Sequence, residues 1–235
     1  AAFPAVVSHY FDEHETQQIR RKAKDAGLTL NDAALTAAFL AMKQRVEKDT
    51  AQDLPGYLRI AVPTNLRTDA DRLMPAANIV SMVFLDRKAN RIADTPAFRQ
   101  GIHQEMQHIK RCRLGLALIH GLRIYRRVFG SFTKMIRRDK CWTTATVSNI
   151  GIVFADLPLQ KIDGRLQLGN SLELVSVCSV PPIRPQTVLG VCLLTYANRM
   201  TLCLHYDSAV LTRSEAEELL AAMSETIYGT AHNTP

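Results

Sequence analysis

The sequence predicts an α/β fold in which a mixed β-sheet is covered by helices, and three observations carry that reading. Helix and strand patterns alternate in the first half of the chain, whereas β-branched, apolar runs crowd the second half. The stretch Ala33 to Val46 is apolar almost all round, with Leu35, Phe39, Leu40 and Met42, which marks a helix buried on every side. Hydrophobic residues make up 47% of 235 residues and charged residues 22%, the composition of an ordered protein that can bury a substantial core without staples. No low-complexity linker and no short-period repeat divides the chain, so residues 1–235 read as one domain.

The elements follow in order. Val6 to Phe11 reads as a short strand, and Asp12 with Glu15 forms a capping box for a helix running to about Ala26. Thr29 and Asp32 give a second helix start; Asn31 and Asp32 are helix-start residues whose side chains satisfy free backbone N–H groups, not catalytic groups. Leu58 to Val62 and Asn78 to Leu85 are β-branched and apolar on either side of a polar, Pro-containing loop, and predict two strands of the central sheet. Thr95 as N-cap and Pro96 at the first helical position open a helix to about Arg113. A further helical region follows, with Leu116, Ile119, Leu122, Ile124, Val128 and Phe132 expected as its buried side. Thr143 to Ser148, Leu172 to Cys178, Thr187 to Tyr196 and Met200 to His205 predict successive strands, the last two joined by the turn Ala197-Asn198-Arg199. Thr212 and Glu215 cap a final helix with Leu219, Leu220, Met223 and Ile227 as its apolar stripe.

The charge is concentrated. Net charge is +7, yet from Lys110 to Lys140 ten basic residues face Asp139 alone, so this window carries +9 and the rest of the chain −2. Arg123, Arg126, Arg127, Arg137 and Arg138 are its candidate anion-docking residues, for the phosphates of coenzyme A, an acidic carrier protein or an anionic membrane surface. A solvated helix face explains the same residues without function. No nucleic-acid-binding motif accompanies the window, so nucleic acid is not an expected partner.

Five cysteines with no CxxC or CxxH spacing predict free thiols in a reducing compartment and no structural zinc. The longest apolar runs, such as Val188 to Leu194, fall short of the roughly 20 residues of a spanning helix, and no signal-peptide pattern opens the chain, so a cytoplasmic protein is expected. The seven histidines form no HExxH, and no metal site is expected. Neither GxGxxG nor GxxxxGK[ST] occurs. Val147-Ser148-Asn149-Ile150-Gly151 lacks the first glycine of a nucleophile elbow, where Thr146 stands, so Ser148 is not read as a nucleophile.

The order of several segments resembles the superfamily of condensation domains, wax ester synthases and chloramphenicol acetyltransferases. Leu28-Thr-Leu-Asn-Asp-Ala-Ala-Leu35 resembles its TxNDxxL segment, and Leu58-Arg-Ile-Ala-Val-Pro-Thr-Asn-Leu-Arg67 with Asn78-Ile-Val-Ser81 resembles two of its strands. Thr146-Val-Ser-Asn-Ile-Gly151 is similar to its VSNxG strand end, and Leu189 to Asp207 followed by Thr212 to Met223 to its closing hairpin and helix. The resemblance spans roughly Val6 to Ile227 and is to the C-terminal lobe of a two-lobed acyltransferase. It implies acyl transfer from a coenzyme A or phosphopantetheine-carrier thioester, a substrate instead of a bound cofactor, to an alcohol or amine. The HHxxxDG motif, whose second His is the general base and whose Asp makes a structural salt bridge, would lie in an N-terminal partner lobe. Laid over the single-lobe acetyltransferases instead, the motif falls at His205, where Tyr206 replaces the base and Val210 the Asp. The resemblance assigns Arg67 to an inter-lobe salt bridge with the motif Asp, and Ser148, Asn149 and His205 to the substrate channel. Arg67 is expected to be exposed, and unpaired or paired only with Asp69 or Asp71. A chain beginning Ala-Ala-Phe-Pro is also expected to be an excised piece of a longer protein. The alternative is a non-catalytic binding or scaffold module of the same fold, docking an acidic carrier protein or making peripheral membrane contact through its basic face.

Overall fold

The computed structural model describes residues 5–49, 56–71, 73–75, 77–132, 142–169, 171–183 and 186–229. Its framework is a six-stranded mixed sheet in the order β1-β9-β8-β4-β2-β3. The strands are β1 (Ala5–Tyr10), β2 (Tyr57–Asn65), β3 (Val80–Lys88), β4 (Ala145–Ile152), β8 (Leu189–Tyr196) and β9 (Arg199–Tyr206). β2, β4 and β8 run parallel, while β1, β3 and β9 are antiparallel to their neighbours. β1 pairs with β9, so the two ends of the chain are joined in one ladder.

Among the described residues five α-helices accompany the sheet: α1 (Glu13–Asp25), α2 (Leu30–Asp49), α3 (Pro96–Arg111), α4 (Gly115–Phe129) and α5 (Arg213–Gly229). The starts of α1, α2, α3 and α5 are those the sequence announces, whereas α4 starts after Leu114 with no side-chain cap. Asp12 Oδ1 accepts from Glu15 N at 2.7 Å and Glu15 Oε2 from Asp12 N at 2.8 Å, a complete capping box. Thr29 and Asp32 exchange the same pair of bonds at the start of α2, as do Thr212 and Glu215 at the start of α5. Thr95 Oγ1 accepts from Phe98 N, ahead of Pro96.

Because side chains alternate along a strand, the sheet has two different faces. On the inner face Leu58, Ile60, Val62, Val147, Val191, Leu193, Leu202 and Leu204 join Leu35, Phe39, Ile102, Leu219 and Met223 of the helices in one core. α2 is buried from Asp32 to Met42, with only Leu40 half-buried, as its all-round apolarity predicts, while its last turns expose Gln44, Glu47 and Lys48. The hairpin between β8 and β9 turns on two residues with positive φ, Ala197 (46°) and Asn198 (62°), the backbone that suits the strand twist.

Two expectations are corrected. Leu172 to Cys178 is not a strand of the main sheet: only Leu172–Glu173 (β7) pairs, in a small three-stranded sheet with β5 (Lys161–Ile162) and β6 (Arg165–Leu168), neither foreseen. Beyond β7 the chain crosses the outer face of the main sheet without a ladder. Leu174 and Val177 pack on Leu194 and Tyr196, and Tyr196 Oη donates to Leu174 O at 2.7 Å. Its β-branched alternation marks a half-buried extended segment, whose Leu174 N–H still donates to Leu166 O of β6 at 2.9 Å while its carbonyl accepts from a side chain. α4 is the second correction. Gly115 is wedged at the exit of β2, where a Cβ would stand 3.0 Å from Leu66 Cδ2, and the helix continues beside β3. The face expected to be buried is covered only in part: Ile119, Leu122 and Phe132 are half-buried, whereas Ile124 is 64% and Val128 66% exposed. Periodicity marks an apolar face but does not say that anything covers it.

Candidate functional site

Parallel strands β2, β4 and β8 end on one edge of the sheet, the position at which open α/β sheets place ligands. There the loop after β2 faces the junction of α3 and α4 across a cleft of about 550 Å³, whose lining includes Thr64, Arg67, Asp69, Lys110, Arg113 and Leu116. Arg67 and the front of the basic window, separate in sequence, therefore share one electropositive cleft. Lys110 and Arg113 were legible only as charges; their meeting with Arg67 depends on how α3 crosses the sheet.

Arg67 differs from its expectation. It is half-buried, and its guanidinium donates to three backbone carbonyls, Ala77 O at 3.0 Å, Pro75 O at 3.4 Å and Asp71 O at 3.5 Å. It is thus neither free nor in an ion pair, because the loop after β2 curls around it and turns three carbonyls inward. Asp71 is held instead by Thr68, whose N–H and hydroxyl donate at 2.7 and 2.9 Å and keep its carboxyl below the usual carboxylate range, with a smaller contribution from the Arg67 charge.

Ser148 and Asn149 lie near the same edge but face opposite ways. Val147 belongs to the inner core, so Ser148 points to the outer face and Asn149 does not. Asn149 Oδ1 accepts from Gly151 N at 2.9 Å, closing the turn at a β-bulge where Gly151 adopts φ +78°. Asn149 is accounted for by shaping the strand end. Ser148 shares a row on the outer face with Cys192 of β8, Cys203 of β9 and Ser8 of β1. This row of hydroxyls and thiols was missed in the sequence.

His205 occupies the neighbouring row with Gly190 and Thr146, so the whole of β8 separates it from Ser148, roughly 10 Å across the ladder. Its Nδ1 donates to Pro181 O at 2.6 Å, since a carbonyl oxygen can only accept. A neutral His205 therefore carries its lone pair on Nε2. Gly190 lies flat beneath the crossing segment: a Cβ there would stand 2.9 Å from Ile183 Cγ2 and 3.1 Å from Pro181 Cγ. On the single-lobe register the position of the base is Tyr206, 3% exposed within the helix-side core, and the position of the Asp is Val210, 55% exposed. Neither can serve the motif's chemistry.

Asp32 bears out its structural reading. It is 2% exposed and accepts from Thr29 N, Thr29 Oγ1 and His103 Nδ1, all within 2.8 Å. Of the docking residues, Arg123, Arg126 and Arg127 are exposed on α4, beside Ile124, Val128 and Phe129; Arg137 and Arg138 lie outside the described residues. Tyr125 stacks with Phe132 at 5.9 Å and lies 4.6 Å from Phe129, extending that apolar surface. Among the described residues no group of three or more His, Cys, Asp or Glu could hold a metal ion, and no helix is long and apolar enough to cross a membrane.

No family model matches the sequence, and no curated protein does. Solved structures do match. The chain is similar to the epimerization domain from the third module of tyrocidine synthetase B, with TM-score 0.65, 14% identity, 97% of this chain and 48% of that one. It is similar to the trichothecene 15-O-acetyltransferase from Fusarium sporotrichioides, with TM-score 0.64, 15% identity, 97% of this chain and 47% of that one. A third likeness is to the first condensation domain of the CDA synthetase, with TM-score 0.58, 13% identity, 98% of this chain and 46% of that one. The chain thus spans just under half the length of each. Its fold, a mixed six-stranded sheet with helices, is that of the condensation-domain and chloramphenicol acetyltransferase-like proteins.

Proposed function

We propose that this chain is the C-terminal, acceptor-side lobe of an acyltransferase that moves an acyl group from a coenzyme A or carrier-protein thioester to an alcohol or amine. The observation that carries this reading is the match of nearly the whole chain to just under half of several condensation-type and acetyltransferase structures. In this reading an N-terminal lobe supplies HHxxxDG, and this lobe supplies one wall of the tunnel from the edge where β2, β4 and β8 end. Arg67 holds the motif Asp of that lobe. Its carbonyl bonds use three of five N–H groups, leaving two to aim at a carboxylate. The test is to extend the coding sequence upstream of Ala1 and assay the encoded protein for thiol release from acyl-CoA in the presence of an acceptor alcohol or amine. HHxxxDG roughly one lobe's length upstream, and activity that falls at least tenfold in Arg67→Ala, are expected. An upstream sequence without the motif overturns the reading.

A second reading is favoured by α4, where Arg123, Arg126 and Arg127 stand among exposed Ile124, Val128 and Phe129. There the chain is a binding module that docks an acidic carrier protein or an anionic membrane surface. Reversing Arg126 and Arg127 to Glu should weaken binding to either, as should salt, which screens exposed charges within about 10 Å at 0.1 M. Binding unchanged by both manipulations leaves the face merely solvated.

A further inference from the structure

The outer face of the sheet carries a pair of thiols that the acyl-transfer reading does not use. Cys203, on β9, is 1% exposed, and Cys178, in the segment crossing over it, is exposed. Their sulfurs stand 2.8 Å apart, about 0.8 Å from the length of a disulfide bond. Ser8 Oγ donates to Cys203 Sγ at 3.4 Å and lies 3.8 Å from Cys178 Sγ, so one hydroxyl on β1 borders both. Cys192, opposite Cys203 in the ladder, is 1% exposed and hydrogen-bonded to Ser179. Around the pair, Gly190 admits Pro181 and Ile183 onto the sheet and His205 binds Pro181 O, so the segment bearing Cys178 is already seated against β8 and β9.

We propose that Cys178 and Cys203 are a redox modification site that closes to a reversible intrachain disulfide on exposure to a peroxide, tying the segment after β7 to β9. The exposed sulfur reacts first. Cys178 attacks hydrogen peroxide; its S–O bond forms as the O–O bond breaks, giving a sulfenic acid and one water. The Cys203 sulfur then attacks the Cys178 sulfur, the S–S bond forms, the S–O bond breaks, and the Cys203 proton leaves with the hydroxyl as a second water. Two thiols are oxidised by two electrons and one peroxide is reduced. Burial pushes the Cys203 thiol up to about 12, so it keeps its proton until that attack and does not compete for peroxide. A dithiol reductant reverses the step by exchange.

The full chain treated with one equivalent of hydrogen peroxide should lose two hydrogen masses by intact mass spectrometry. Peptide mapping after alkylation should join Cys178 to Cys203, and dithiothreitol should restore the original mass. Because the bridge closes a loop of about 25 residues, Tm should rise by about 6 °C or more in the oxidised chain. Cys178→Ser, at an exposed position, should abolish both the mass loss and the rise. Three outcomes overturn the proposal: an oxygen adduct that stays on Cys178 with no bridge, a bridge from Cys178 to a different cysteine, or a bridge between two chains on a non-reducing gel.

Discussion

The two faces of the one sheet are built to different rules. Toward the helices, Ile60, Val62, Val147, Val191, Leu193 and Leu202 meet α2, α3 and α5 in a continuous apolar core. On the outer face the same strands present Ser8, Cys203, Cys192 and Ser148 in one row and His205 with Gly190 and Thr146 in the next, roofed in part by a segment with no strand ladder of its own. The inner face stabilises by area removed from water, which tolerates no gap. The outer face is held by a smaller apolar cluster of Leu166, Leu194 and Tyr196 and by a few specific contacts. The difference separates stability from chemistry: changes on the inner side should unfold the chain, and changes on the outer side should alter what it binds or how it is modified.

The largest break is expected at Asp32. Asp32→Ala leaves Thr29 N–H and the His103 ring without their shared acceptor at a buried helix start, and should cost about 3 kcal/mol or more in denaturant unfolding. Gly190→Ala should cost less, about 1–3 kcal/mol, because the crossing segment must lift by a few tenths of an ångström to admit a methyl group. A sharper readout is faster amide exchange in residues 177–183 with the helix core unchanged. Arg67→Ala comes next, at about 1 kcal/mol, since three loop carbonyls lose a partly solvated donor. Ser148→Ala should fall within about 0.5 kcal/mol. A larger loss would mean that the outer face is as tightly packed as the inner one.

Acid should act chiefly through exposed and edge carboxylates. Donation from Thr68 lowers Asp71, donation from Arg59 lowers Asp86, and donation from Thr212 lowers Glu215. Each contributes stability that is complete above its unfolded-state value of about 4 and is lost as pH falls through the lower folded value. Tm should therefore be flat on the acid side until about pH 4 and decline below it, and Asp86→Asn should reduce the slope of that decline.

What the sequence made legible follows the same division. Helix starts were readable because capping is a contact between residues three apart, as at Asp12 and Glu15 or Thr212 and Glu215. The inner core was readable because burial leaves a period. The path of residues 174–183 was not, since an extended segment roofing a sheet and a strand within it carry the same alternation. The bonding of Arg67 to backbone carbonyls was hidden because carbonyls have no letter in the sequence. The row of Cys192 and Cys203 could have been found: the two-residue turn at Ala197-Asn198 fixes the register of the hairpin, and that register sets the two cysteines opposite each other.

In the acyl-transfer reading proposed above, this chain holds one side of the site without its base. The direct measurement is thiol release from acyl-CoA by the 235-residue chain alone, with an alcohol or amine acceptor present, monitored near neutral pH. No turnover above the rate without protein is expected, because Tyr206 is buried among core side chains and Val210 carries no carboxylate. Turnover by the chain alone that disappears in His205→Ala would overturn that reading and place a catalytic base on the outer face.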